Sequence, residues 1–331
     1  MKSTKKKEIL HFTSLTGISG IIGRVFSLPH SIIYAKFLMP SGYGVLQIIK
    51  VLISYFSYIQ IGMVQAMNRN VPRAYANKDY QLAAKIKDLS FTWLTIVSTL
   101  ALIVIWIVHY SNEDFHNQLS IYMMIATTLV IIVGRINAFI KPLLKAEGKF
   151  VVIGKVLVVK STITPLLGML LVYFFSLIGA VIALLVDQII TLIASLYYYR
   201  EYVPKFYFNI KLFIEQISKG SLIFINRFSE NIISSFTIIM IGYYSTTSKV
   251  GIFSFGLLTL MNLQRYSTPI RIYFYREIMK LKGSENKDNA YYKKLLGLPH
   301  VFNLFLNTFL LVIFAVVYFS IISLFLPKYT E

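Results

Sequence analysis

The sequence predicts an all-α polytopic membrane protein, on three observations. The 331 residues are 56% hydrophobic and only 14% charged, against about 25% charged in a soluble domain, and the mean hydropathy is +0.65. Nine apolar runs have the length, about 20 residues, that a helix needs to cross a bilayer. Lys and Arg concentrate in alternate connections between those runs, which is the signature of cytoplasmic loops.

The nine runs fall at 12–34, 43–65, 89–109, 120–140, 150–173, 177–199, 220–242, 251–270 and 299–322. They are too long and too uniformly apolar for barrel strands. The fifth contains Pro165, and only a short turn near Ser176 separates it from the sixth. Segments 1–11, 66–88, 141–149, 200–219 and 271–298 hold 23 Lys and Arg, whereas the opposite loops hold only Lys36, Lys249 and Lys328. That bias puts the N-terminus inside and, across nine spans, the C-terminus outside. The run after Met1–Lys7 has no clear small-residue cleavage site and continues past Arg24, so it reads as an uncleaved first helix. Ile210–Ser218 has helical apolar spacing and is expected to lie on the inner surface. Residues 282–289 read as a solvated linker.

The net charge of +19 suits an anionic inner leaflet and gives no reason to expect nucleic acid. With no cysteine there is no disulfide, thiol nucleophile or thiolate metal site. The five histidines lack ligand spacing, and no GxSxG, P-loop or GxGxxG is present, so neither an enzyme nor a cofactor site is expected.

Seven cations lie inside apolar runs: Arg24, Lys50, Arg135, Lys155, Lys160, Arg227 and Arg265. A cation at the bilayer centre costs about 2.5–3.5 kcal/mol even on the lenient scale, so such residues face a wet interior or a charged cargo. At about 1.5 Å per residue, Arg24 and Lys160 sit near the midplane, with Lys50, Arg227 and Arg265 somewhat shallower. Arg135 and Lys155 lie close enough to the ends of their runs to snorkel to the headgroups. Thr13, Gly17, Gly20, Arg24, Ser27 and Ser31 share one helix face, which reads as cavity-lining. Two acids reach comparable depth. Glu230 is three residues from Arg227, within pairing distance on a helix. Asp187 has no local partner and is expected either to pair with Arg24 or Lys160 or to bind a coupling cation.

Several loose motifs, in order and spacing, resemble the polysaccharide and O-antigen flippases of the multidrug/oligosaccharidyl-lipid/polysaccharide exporter superfamily. They are Gly17-Ile-Ser-Gly20, Arg24, Ile33-Tyr-Ala-Lys-Phe-Leu-Met-Pro-Ser-Gly-Tyr-Gly44, Ile61-Gly62 with the Asn68-Arg-Asn-Val-Pro-Arg73 loop, Leu143-Leu-Lys-Ala-Glu-Gly-Lys149, Leu177-Ile-Gly-Ala-Val-Ile-Ala183 and Phe325-Leu-Pro-Lys-Tyr329. The resemblance implies two pseudo-symmetric lobes of a twelve- or fourteen-helix exporter, here a six-helix lobe at 1–199, an inner linker at 200–219 and a partial three-helix lobe at 220–331. It implies a multi-pass protein of the cell membrane that flips a polyprenyl-pyrophosphate-linked oligosaccharide to the outer leaflet by alternating access, in the company of a polysaccharide polymerase and glycosyltransferases. Arg24, Lys160 and Arg227 would contact phosphate or sugar, with Lys50 and Arg265 secondary, and Asp187 and Glu230 would be candidates for ion coupling. Two other readings stay open: a cation-coupled small-molecule exporter of the same superfamily, and a non-transporting membrane partner of polysaccharide assembly.

Overall fold

A computed structural model describes residues 2–111, 121–199, 202–264, 301, 304–305, 308–309, 312 and 323–329; the side chains of 2–10, 13, 24, 28, 57, 108, 222–223, 226–227, 230–231, 233–234 and 259–264 are not described. The helices are α1 (Lys2–Tyr58), α2 (Met63–Ala76), α3 (Tyr80–Ser111), α4 (Ile121–Ala146), α5 (Phe150–Tyr198), α6 (Ile210–Tyr244) and α7 (Thr247–Gln264). Among the described residues there is no strand. Two compact units divide the chain, Met1–Val250 and Gly251–Glu331. In the second, Pro327–Tyr329 forms a 3₁₀ turn and the Tyr329 ring packs on Phe255. Most of the expected span at 299–322, and residues 265–270 of that at 251–270, lie outside the described residues.

Four helical stretches of the first unit are long and apolar enough to cross a membrane: Ser14–Phe56, Tyr80–Ser111, Ile121–Ala146 and Phe150–Tyr198. Two are too long for one crossing. The 57 residues of α1 would reach about 85 Å as a straight helix, and a bilayer core is about 30 Å thick. Each is broken by one residue with positive φ: Met39 (φ 56°) in α1 and Ser176 (φ 49°) in α5. Both breaks fall between expected spans. They also lie side by side, since Ser176 Oγ donates to the Phe37 carbonyl (3.2 Å) and the Phe37 and Tyr173 rings are 5.0 Å apart.

The first half of α1 runs parallel to the first half of α5. Phe12 meets Phe150, Gly23 faces Ser161, and Tyr34 reaches Gly168. The second half of α1 runs antiparallel to α6, through Gly242 beside Ile48, Tyr55 Oη with Ser235 Oγ at 2.7 Å and Tyr58 beside Phe228. Large apolar side chains such as Leu100, Val104, Phe174 and Phe175 remain exposed on the outer faces, as expected where lipid is the solvent.

Three features differ from the sequence reading. The basic 68–73 segment is not a loop but part of α2, because Met63, Val64, Met67, Val71 and Ala74 form a buried stripe with helical spacing. Ile210–Ser218 is the opening of the continuous helix α6, capped by the Asn209 side chain on the Leu212 amide (3.0 Å). The run at 43–65 is interrupted. Helix α1 stops at Tyr58, Ile61 (φ 47°) and Gly62 (φ 81°) are left-handed, and α2 restarts at Met63. A β-branched residue with positive φ is a true outlier, and such strain costs about 1–3 kcal/mol.

Candidate functional site

The break in the second span opens onto the polar interior of the first unit. A cavity of about 380 Å³ is lined by Gln60 of the broken turn, Ile53 and Phe56 above it, Arg135, Asn137 and Lys141 of α4, and Gln188 of α5. Among the described residues no carboxylate lines it. Asn137 Nδ2 donates to the carbonyl (2.8 Å) and to Oε1 (3.0 Å) of Gln188, which fixes both amides. The Gln60 carbonyl accepts from the Trp93 indole at 3.1 Å. Gln60 Oε1, Asn137 Oδ1 and Arg135 Nη2 are buried without a hydrogen-bond partner among the described residues. Unpaired buried polar atoms are costly, so a cavity edged by a guanidinium and two amide oxygens is suited to a ligand with acceptors and hydroxyl donors.

Arg135, expected to snorkel to the headgroups, lines this cavity. Its helix, α4, continues to Ala146. That end lies eleven residues on, about 16 Å. The signal was present: Ile131, Gly134, Arg135, Ala138, Lys141 and Pro142 all line the cavity, at the i, i+3/i+4, i+7 spacing that marks one helix face. Lys155 sits with its ammonium 5.0 Å from the Tyr198 ring centroid.

Lys160 and Asp187 are brought together across the two halves of α5, Nζ to Oδ2 at 2.8 Å. Of the alternatives left open for Asp187, the pairing with Lys160 is the one seen. Its other oxygen, Oδ1, is buried without a partner among the described residues. Tyr34 is an electrostatic neighbour of Asp187, and Lys141 of both Lys160 and Asp187, so the pair adjoins the cavity wall. Lys50 is half-buried and lies within electrostatic range of His30, whose ring stacks on Tyr34 at 4.0 Å. The side chains of Arg24, Arg227 and Glu230, and all of Arg265, lie outside the described residues.

Removing one member of an ion pair strands the other, at a cost that grows with burial, and this pair is part-buried. Asp187→Ala is therefore expected to reduce the amount of protein in the membrane several-fold, and Lys160→Met added to it to restore most of the loss. Quantitative blotting of membrane fractions reads this. Equal levels of the single variant and the native protein would show that the pair carries no structural charge balance.

Comparison with known proteins agrees with this architecture. Residues 9–272 match the family described as "Polysaccharide biosynthesis protein". A comparison with curated proteins gives no match. A mutant of a Vibrio cholerae MATE transporter is similar in structure with a TM-score of 0.58 at 14% identity, over 99% of this chain and 77% of that one. A MOP-superfamily transporter from Pyrococcus furiosus has a TM-score of 0.52 at 15% identity, over 98% of this chain and 73% of that one. A multi-pass helical chain with this fold, matched over most of its length, belongs to the polysaccharide biosynthesis protein family.

Proposed function

We propose that the protein is a transporter that flips a polyprenyl-pyrophosphate-linked oligosaccharide to the outer leaflet of the cell membrane during surface polysaccharide biosynthesis. The observation that carries this reading is the cavity bearing Arg135 and Lys141, three amide side chains and, among the described residues, no carboxylate. Guanidinium and ammonium groups form strong charge-assisted hydrogen bonds to phosphate, and amides both donate to and accept from sugar hydroxyls. An exporter of organic cations wants the opposite polarity, and Asp187 is already engaged by Lys160. Polarity is a variable of this fold: the Pyrococcus furiosus transporter is described as having a binding pocket of reverse polarity that suggests a different function.

In this reading the segment 1–199 is one lobe and 220–331 belongs to a second, joined by the inner linker 200–219, and the two alternate access to the cargo. The N-terminus faces the cytoplasm. Lys50 and Lys160 belong to the cargo path with Arg135 and Lys141, and Arg24, Arg227 and Arg265 remain candidates for contact with phosphate or sugar. Asp187 and Glu230 tune the charge of that path.

The test is complementation of a strain lacking its own flippase. Arg135→Ala with Lys141→Ala is expected to lower surface polysaccharide at least about tenfold, the consequence of losing roughly 1.4 kcal/mol of binding, with unchanged protein in the membrane. Arg24→Ala is expected to act in the same direction. Normal polysaccharide in the double variant would sink the assignment of this cavity to the cargo.

A further inference from the structure

A second concavity, of about 480 Å³, lies between the end of α1 and α3, and shares Phe56 with the polar cavity. We propose that it seats the polyprenyl chain of the cargo, with Phe56 as the partition between chain and headgroup; this rests on the lipid-linked reading above. Leu52, Phe56 and Ile59 form one wall, and Val97, Ala101 and Ile105 of α3 form the other. Both sets follow helical spacing, so each presents one continuous face. Val97, Ala101 and Ile105 are buried, whereas Leu100 and Val104 stand at the rim, 58% and 59% exposed. The stretch from 97 to 105 is about 12 Å long, and among the described residues no polar side chain lines the groove. Nothing there recognises a phosphate or a sugar; only hydrocarbon is accommodated.

What singles out a lipid-linked headgroup is continuity with the polar cavity. Phe56 lines both spaces. Its neighbours diverge: Ile53 and Gln60 face the cavity, and Leu52 and Ile59 face the groove. A molecule occupying both sides therefore carries a hydrocarbon chain and a hydroxylated anionic head on either side of one aromatic ring. The floor is preformed, since Phe56, Ala101, Ile105 and Ile131 belong to one packed core cluster. A free lipid chain need not reorganise the protein to enter it.

The experiment uses the full chain in lipid nanodiscs and a polyprenyl phosphate with a photoreactive group on the chain, challenged with excess phosphatidylglycerol. Labelling is expected on the peptide containing residues 97–105 and to survive the challenge. Ala101→Phe, which fills the floor, is expected to cut labelling about tenfold, as follows from excluding two or three buried methylene groups. Val104→Asn at the exposed rim perturbs no packing and is expected to act in the same direction. Labelling on other helices, or undiminished in both variants, overturns the groove and leaves the cargo reading standing. Displacement by phosphatidylglycerol also overturns it, as a general lipid site. No labelling of the native protein anywhere overturns the lipid-linked cargo and the groove with it.

Discussion

Replacing Glu147 with alanine is expected to destabilise the protein by about 3–5 kcal/mol, the usual cost of stranding a buried charge. The Glu147 carboxylate accepts from Lys87 Nζ (2.9 Å) and Tyr75 Oη (3.2 Å) on one oxygen and from Tyr199 Oη on the other. Both charged side chains are well buried, 7% exposed for Lys87 and 10% for Glu147. Lys87 also donates to Tyr75 Oη at 3.1 Å and lies 3.7 Å from the Tyr202 ring centroid. Tyr202 in turn donates to Asp88 Oδ1 (2.5 Å), which also accepts from the Lys205 amide (2.8 Å). Burial and the Asp88 carboxylate push the Tyr202 phenol up, so it remains a donor at any physiological pH. One carboxylate thus ties α2, α3, the end of α5 and, through Lys87 and Tyr202, the segment that follows. Without it, a cation and two phenols lose their acceptor together. The measurement is the midpoint of thermal aggregation in detergent, expected to fall well below that of native protein. Replacing both partners, Lys87→Met with Glu147→Leu, is expected to recover most of the loss, because a packed apolar pair often substitutes for a buried ion pair. A native-like midpoint for Glu147→Ala would show that the network is decorative.

Much of this was legible in the residues, and the failures have physical causes. Span lengths and the turn near Ser176 follow from the 30 Å hydrocarbon core and the local loss of helical pattern. Lys160 and Asp187 stood out because charge at membrane depth is expensive, yet which helices face each other is a tertiary fact, so their pairing stayed one of several. The cavity position of Arg135 was missed at a boundary. The apolar run ends at 140, whereas the helix runs on to Ala146. Amphipathic residues at the end of a span carry little hydropathy but still form helix, so hydropathy underestimates length there. Glu147 lay inside a quoted motif, but its partners at 75, 87 and 199 are remote in sequence and no local pattern announces them. The interruption at Ile61–Gly62 was invisible for the same reason, since the residue that requires it is Gly220.

At that contact two backbones touch, and Gly220→Val is expected to be the most disruptive small change in α6. A Cβ on Gly220 would strike the Gly62 carbonyl, with its carbon only 2.9 Å away and its oxygen nearer still, and would crowd Ala66 Cβ at 3.3 Å. A Cβ on Gly62 would meet the Gly220 carbonyl carbon at 2.7 Å and the Ser221 nitrogen at 3.0 Å, at a φ of 81° that side chains rarely adopt. The obstacles are backbone atoms, which cannot rotate away as a side-chain tip can. Small residues permit such close helix approach in membranes. The approach also sets the neighbouring contacts, the buried Asn70–Gln216 hydrogen bond (2.6 Å) and the stacking of Phe224 and Phe228 beside Tyr58. Gly220→Ala is expected to cost about 1–3 kcal/mol, as overpacking does, and valine more. Gly17→Ala supplies the contrast. It lies in α1 with nothing within 4 Å of the added carbon, and glycine-to-alanine inside a helix gains up to about 1 kcal/mol. Thermal midpoints in detergent should therefore move in opposite directions for the two alanine variants. Ala66→Gly is expected to relieve Gly220→Ala only in part, because it removes the 3.3 Å contact and leaves the carbonyl in place. Full rescue would mean that the Ala66 side chain, and not the Gly62 backbone, is what holds α6 at its distance.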